Sequence, residues 1–287
     1  MKIDFPPVLH IKLLVTAVIL ITSLLAISVE FITLQSNSLT LPAPDLTGHL
    51  PLSAAIGQSN LTPNLHFQSL KNKEISQLLW ALQGTTHGSG FRTVPSAGAT
   101  YPLKIFIQQN GNYYFKNGCY SYDSDDNQLK SISSNFNNTQ LFSVLLSEDQ
   151  DSISNVSTVF FISADYSRTT GRYGERGIQY VHLEVGHALQ NFLLQLISLN
   201  LDTWVISEFD SSQVQEFLNT SLQPLIILPV GRNPDASYAS LKLKINFPIN
   251  TEEMTVEQAI AKRKSTRDYI SGQIPLSIIM GSKKQRI

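Results

Sequence analysis

The feature that most constrains the fold is a long apolar helical pattern over residues 175–199. Apolar residues recur along it at helical spacing: Val181, Val185, Leu189, Phe192, Leu193, Leu196 and Ile197. A helix with so little polar surface must lie in the core or at a subunit contact. Nearly continuous apolar runs at 156–163 and 225–230 are typical of buried strands. The alternation of helices and strands predicts an α+β fold with a mixed central sheet flanked by helices.

A loop of small residues lies between a helix-like segment, 75–84, and a strand-like run, 103–108. Residues 91–102 read Phe-Arg-Thr-Val-Pro-Ser-Ala-Gly-Ala-Thr-Tyr-Pro. The proline fixes one φ angle, and the Ser-Ala-Gly run leaves backbone N–H groups open to a ligand. Such a loop can lie flat against a planar molecule, although the pattern also suits a simple helix-to-strand connection.

Residues 92–102 resemble the flavin-facing loop of nitroreductase-like FMN-dependent oxidoreductases, in the SagB-type branch. That branch includes the dehydrogenases that oxidise azolines in modified peptides. The similarity extends over roughly residues 52–247 and implies a nitroreductase-like fold with FMN as cofactor. Because the family's flavin sites lie at dimer interfaces, it also implies a homodimer or a tandem pseudo-dimer. The loop residues expected to contact FMN are Arg92, Pro95, Ser96, Ala97 and Gly98.

Residues 172–191 are similar to a second signature of the family. In the azoline-oxidising branch, a Lys-Tyr pair before the Gly-Glu-Arg triplet is implicated in proton removal. The pair here is Arg172-Tyr173, and arginine is a poor base because it stays protonated. Tyr173 is therefore the candidate catalytic residue, with a packed aromatic side chain as the alternative.

The segment Leu-Pro-Val-Gly at 228–231 resembles the strand end that lies beside the flavin in the family. The resemblance adds Gly231 to the candidate cofactor contacts, and Arg232 could reach a phosphate. A strand that ends in a glycine turn is the ordinary interpretation of the same residues.

An internal repeat brings in a second group of candidate ligands. Residues 254–269 look like the opening of a nitroreductase domain, whose Arg-x-Ser-x-Arg-type cluster grips the FMN phosphate. The resemblance assigns that role to Arg263, Ser265 and Arg267. When the Ala-Ile pairs at 55–56 and 259–260 are aligned, the first copy has Ser59, Leu61 and Pro63 at those positions.

The position of this cluster near the end of the sequence has two explanations. Residues 249–287 are either the truncated start of a second domain or a segment that folds back, or swaps between protomers, to supply phosphate ligands. The first is favoured because residues 278–287 carry no recognisable continuation. The predicted organisation is an N-terminal segment (1–32), a linker (33–50), a nitroreductase-like domain (51–248) and the repeat or basic tail (249–287).

Residues 13–29 contain no charged side chain and are just long enough to span a membrane as a helix. The segment predicts a single-pass anchor with the domain outside the cytoplasm, and a cleaved signal peptide is the alternative.

Composition and spacing exclude several other functions. The formal net charge of −1 gives no electrostatic basis for binding nucleic acid, and the single cysteine excludes an intrachain disulfide. His182 and His187 are five residues apart on a helix and cannot share a metal ion, since shared ligands need a spacing of four. The predicted function is an FMN-dependent oxidoreductase acting on a small or peptide substrate. The alternative is a non-catalytic relative with a weakened phosphate site that serves in binding or assembly.

Overall fold

The computed structural model describes most of the region between residues 38 and 265. The described residues are 16, 18–23, 38–58, 69–86, 90–111, 115–133, 145, 156–232 and 253–265.

The described strands form one seven-stranded sheet in the order β1-β4-β3-β2-β5-β7-β6. They are β1 (Ser38–Thr40), β2 (Leu103–Gln109), β3 (Gly118–Asp123), β4 (Gln128–Ser133), β5 (Thr158–Ala164), β6 (Leu201–Thr203) and β7 (Gln223–Arg232). Each neighbouring pair of these strands is antiparallel. The α+β fold is confirmed, but the predicted mixed sheet is wrong for the described strands. The reason is that β7 lies between β5 and β6, so the strands joined by the long helical connection are not neighbours.

Six helices cover this sheet within the described residues. They are α1 (Leu52–Ile56), α2 (Asn72–Gln83), α3 (Tyr166–Tyr173), α4 (Arg176–Ser198), α5 (Ser211–Phe217) and α6 (Val256–Lys262). Helix α4 confirms the helix predicted over residues 175–199, and its apolar side is buried as expected.

The core is built on both faces of β5, because successive side chains of a strand point to opposite faces. Phe160 packs in the cluster under α2 and α4, whereas Phe161 packs in the cluster that includes Val214 of α5. The Phe160 ring meets the edge of Phe192 from α4 at a centroid distance of 5.1 Å. The sheet and α4 together therefore form the rigid base on which the loop over residues 91–102 is mounted.

Strands β2, β3 and β4 are consecutive antiparallel neighbours on one side of β5. Strand β3 begins at Gly118, and burial of Cys119, Tyr120 and Tyr122 sets its register with β2. A turn over residues 124–127, which includes Asp125 and Asp126, joins β3 to β4.

Residues 253–265 pack against the domain that precedes them. Pro51 and Thr255 form an antiparallel bridge, and Val256 and Ile260 of α6 are buried against Trp80 and its neighbours. The domain boundaries given above stay a prediction. The first-copy residues 59–63 and the tail after residue 265 lie outside the described residues.

The membrane prediction needs correction. Of residues 13–29 the structure describes residue 16 and residues 18–23, which are helical. Within the described parts of the chain, no helix combines the length and apolar character that crossing a membrane requires. This finding overturns the predicted single-pass anchor and the localisation that rested on it.

Candidate functional site

The loop over residues 91–102 is anchored to the end of α2. Thr85 and Arg92 form an antiparallel bridge, and the backbone N–H of Thr93 donates to the carbonyl of Gly84 at 2.9 Å. The Thr93 hydroxyl, which is fully buried, donates to the carbonyl of Trp80 at 3.0 Å. The first bond satisfies a carbonyl that the end of a helix would leave unpaired, and the second adds to the bond that the Trp80 carbonyl accepts from the N–H of Gly84 at 2.7 Å. The start of the loop is therefore held in place at the end of α2.

A single 3₁₀ turn over Ala97–Ala99 forms the centre of the loop. Gly98 has a φ of +61°, a conformation that favours glycine. Among the described residues, the backbone N–H groups of Ala97 and Gly98 have no acceptor. Both residues are partly exposed, so these two donors are open to a bound molecule.

Two non-glycine residues also have left-handed backbone conformations: Ala99 (φ 55°), at the end of this turn, and Tyr101 (φ 44°), just after it. Such conformations cost roughly 1–2 kcal/mol each and persist only where neighbours enforce them. The N–H of Tyr101 donates to the Ser96 hydroxyl at 2.9 Å, and the Tyr101 hydroxyl donates to the carbonyl of Gly90 at 2.5 Å. Strain held in this way is characteristic of functional loops.

The Arg172–Tyr173 pair at the end of α3 lies against Gly98. The Arg172 guanidinium donates to the carbonyl of Gly98 at 3.0 Å. A Cβ atom at Gly98 would lie 2.4 Å from the Tyr173 hydroxyl, so the glycine is required for this contact. The Tyr173 ring packs edge-on against Tyr180 with centroids 5.1 Å apart. The structure thus brings together two segments that the sequence singled out separately.

A buried carboxyl group, Glu184 of α4, lies behind the loop. Burial raises the pKa of Glu184 to about 7, against the opposing effect of hydrogen bonds from Ser96 and Gln83. The Gln83 amide donates to Glu184 at 3.3 Å, and Arg92 donates to the same Gln83 at 3.2 Å. Sequence reasoning missed Glu184 and Gln83. The available signal was a carboxylate on the otherwise apolar face that includes Val181 and Val185.

A polar cleft of about 230 Å³ opens beside the loop, next to Arg92 and Tyr101. The Arg92 guanidinium lies over the Tyr101 ring at 4.6 Å from its centroid. Lys104 lines the cleft and donates to the carbonyl of Tyr122 at 3.1 Å. Burial lowers the pKa of Lys104, partly offset by the nearby charge of Asp123. The cleft therefore borders the loop at Arg92 and Tyr101.

The remaining predicted cofactor ligands, which include the candidate phosphate ligands, lie in several different places. Arg263 reaches the loop itself, where its Nε donates to the carbonyl of Thr93 and its Nη2 to that of Arg92, both at 3.0 Å. Ser265 is exposed, and Arg267 lies outside the described residues. Gly231 lies in β7 opposite Asp202.

Arg232 forms an ion pair with Glu74 of α2. Its guanidinium donates to both carboxylate oxygens of Glu74 at 2.8 Å. No group of three potential metal ligands exists within the described residues. His182 Nε2 shares a hydrogen bond of 2.6 Å with the Tyr166 hydroxyl.

The antiparallel sheet, its helical layer and the strained loop define an α+β protein of the nitroreductase type. The nitroreductase family model matches residues 65–232, and the chain belongs to this family of oxidoreductases. A candidate nitroreductase of Methanocaldococcus jannaschii is 39% identical over 160 residues, covering 56% of this chain and 80% of that protein.

Two solved structures share the fold. A candidate nitroreductase from Ralstonia eutropha superposes with a TM-score of 0.60 at 22% identity, covering 68% of this chain and 89% of that one. The Escherichia coli microcin synthetase McbBCD, solved with truncated pro-MccB17 bound, gives a TM-score of 0.55 at 22% identity, covering 69% and 79%. At this level of identity, both comparisons establish the fold.

Proposed function

We propose that the chain is an FMN-dependent oxidoreductase that transfers hydride between the flavin and a small or peptide substrate. The observation that carries the proposal is the contact between Gly98 and the Arg172–Tyr173 pair. It joins a loop with two open N–H donors to a hydroxyl group that can exchange a proton. Membership of the nitroreductase family supports the same assignment.

The residues of the loop fit one side of a flavin. Pro95, Ser96, Ala97 and Gly98 would lie against the isoalloxazine ring, with the open N–H groups of Ala97 and Gly98 bonding to its acceptor atoms. Bound FMN would supply the two-electron redox chemistry. Arg92, fixed between Gln83 and Tyr101, would add positive charge at the edge of this surface.

Tyr173 would manage the proton that accompanies hydride transfer. Its hydroxyl lies within contact distance of the Gly98 position, and its ring is fixed by Tyr180. Arg172 remains charged and is committed to the Gly98 carbonyl, so we assign it to positioning the loop rather than to removing a proton. A SagB-type reaction on a modified peptide would therefore depend on Tyr173 alone in this chain.

A non-catalytic binding or assembly module is the second candidate. It is favoured by the hydrogen bonds of Arg232 to Glu74 and of Arg263 to loop carbonyls, because each guanidinium then has fewer donors left for a phosphate. A charge-assisted hydrogen bond contributes about 1.5–3 kcal/mol, so the loss of two such contacts would weaken FMN binding by orders of magnitude.

Flavin titration of the full chain separates the two candidates. We expect the purified protein to bind FMN, and the visible spectrum of the flavin to change on binding. The bound flavin should then be reduced by added dithionite or by a nicotinamide donor. Protein that is still colourless after incubation with excess FMN and removal of the unbound flavin would refute the enzyme assignment.

The matched control for this titration is a pair of glycine variants. Gly98→Ala should weaken FMN binding, because the new Cβ meets Tyr173 and the residue keeps a positive φ. Gly171→Ala, in a helix with nothing within 4 Å of the added atom, should bind FMN as the wild type does. Equal affinity of the two variants would argue against a flavin site at this loop.

We further propose that a second copy of the chain covers the exposed face of α4. Leu183 is 60% exposed there, and Gly186, one turn further on, has open space beside it. A glycine inside a helix costs about 1 kcal/mol relative to alanine and allows another backbone to approach closely. This face is continuous with Tyr180, which contacts Tyr173, so a second copy would lie beside the candidate site.

A further inference from the structure

The repeated segment near the end of the described chain is fixed to the domain by backbone pairing. The N–H of Leu52 donates to the carbonyl of Met254 at 3.0 Å, and the N–H of Val256 donates to that of Leu50 at 3.1 Å. Helix α6 then begins with a capping box in which Thr255 and Gln258 satisfy each other's backbone N–H groups. The backbone pairing and the capping box together set the direction of α6.

A buried carboxylate holds α6 in register. Glu257 is 3% exposed, and its Oε1 accepts bonds from the Gln195 amide at 2.8 Å and the Ser198 hydroxyl at 2.5 Å. Gln195 in turn accepts a bond from Gln77 of α2 at 3.2 Å. Loss of hydrogen-bond partners by a buried polar group costs free energy. Because α6 cannot slide or rotate without breaking this network, the network holds the helix in place.

Arg263, the residue after α6, connects this helix to the loop over residues 91–102. Arg263 leaves the helix with extended backbone angles (φ −55°, ψ 125°). Its guanidinium donates to two successive carbonyls, those of Arg92 and Thr93, at 3.0 Å each. The Thr93 carbonyl also accepts a bond from Asn191 of α4 at 3.2 Å. A planar guanidinium that donates through two nitrogens fixes orientation as well as distance.

We propose that Arg263 is a positioning residue, which braces the entry of the loop over residues 91–102 from the side of α6. It acts on the loop backbone rather than as a ligand of a cofactor phosphate. The brace holds the loop at residues 92–93, and the Arg172 contact holds it at Gly98 in the central turn. The consequence for cofactor binding rests on the proposed function, whereas the brace itself does not.

The test uses the full chain with Arg263→Ala, Arg263→Lys and the exposed neighbour Lys264→Ala as control. The first measurement is amide hydrogen exchange in flavin-free protein, read over residues 90–102 and, as an internal reference, over α4. We expect Arg263→Ala to accelerate exchange about tenfold or more in the loop and to leave α4 unchanged. Arg263→Lys should fall between it and the wild type, because an ammonium group cannot reproduce the two-nitrogen fork. Loop exchange in Arg263→Ala that matches Lys264→Ala would overturn the brace.

The second measurement is FMN affinity. Loss of the brace should weaken binding about ten- to a hundredfold in Arg263→Ala, with partial recovery in Arg263→Lys. If the wild type binds FMN and Arg263→Ala binds it equally well, the positioning role is refuted even where loop exchange has risen. If the wild type binds no FMN, the proposed function fails, and hydrogen exchange alone decides whether the brace exists.

Discussion

The buried carboxyl group of Glu184 allows us to predict how the stability of the protein depends on pH. Its pKa rises from 4.5 to about 7 on folding, chiefly because burial disfavours the charged carboxylate. Between these values the folded protein binds more protons than the unfolded chain, so the free energy of unfolding must fall as pH rises. At about 1.36 kcal/mol per pH unit, complete ionisation costs roughly 3 kcal/mol.

Glu184→Gln removes this cost while keeping a group of the same shape. We expect the free energy of unfolding of the wild type to fall by about 3 kcal/mol more than that of Glu184→Gln between pH 4.5 and 7. With urea m-values of about 1–3 kcal/mol/M, the difference moves the midpoint by about 1 M or more. Urea unfolding of flavin-free protein across this pH range is the measurement.

The control is Glu208→Gln, which makes the same substitution at an exposed carboxylate. Other titrating groups contribute equally to each protein and cancel in the comparison. If the pH profiles of wild type, Glu184→Gln and Glu208→Gln are parallel, Glu184 is ionised at no cost and the reasoning from burial is wrong.

Three further predictions follow from the site and the core. Tyr173→Phe should keep FMN affinity within about threefold but lower kcat by about 10²-fold or more, which is the range of general acid–base catalysis. An unchanged kcat in stopped-flow measurements would show that Tyr173 takes no part in the chemical step. Leu183→Glu should convert a dimer to a monomer in light scattering, whereas Glu216→Gln should not, and a wild-type monomer would contradict the proposed partner. Phe192→Ala should cost about 3–5 kcal/mol in urea unfolding, because its ring is fully buried against Phe160; a cost below about 1 kcal/mol would mean that this core contact relaxes freely.

The sequence alone predicts the elements that depend on local pattern. The spacing of apolar residues over 175–199 identifies α4 within one residue at each end, since burial of one long face leaves a clear period. The strand at 156–163 is recovered as β5 for the same reason. Strand order is different, because it depends on which strands meet after the long helical connection. The insertion of β7 between β5 and β6 has no local signature, and the predicted mixed sheet failed there.

The candidate site shows the same division between local and long-range information. Small residues and a proline mark the loop at 91–102, and its glycine is required by a positive φ that the sequence pattern already favours. The partners of the loop are unpredictable from such patterns. Tyr173 lies 75 positions beyond Gly98, and Arg263 lies 170 beyond Thr93. The sequence predicts a phosphate ligand at Arg263, and the structure shows that its Nε and Nη2 donate to two loop carbonyls.

Two kinds of unfavourable energy meet at that single loop. Ala99 and Tyr101 each carry roughly 1–2 kcal/mol of backbone strain, and ionised Glu184 behind them adds roughly 3 kcal/mol. The packed sheet and α4 must offset these terms before any cofactor binds. A loop already held in a strained conformation does not lose further backbone entropy on binding, which raises the affinity for a ligand of matching shape. Because bound ligand stabilises only the folded state, FMN that occupies this loop should raise the unfolding midpoint with its concentration. The strain, the brace and the open N–H donors are thus three aspects of one preorganised surface.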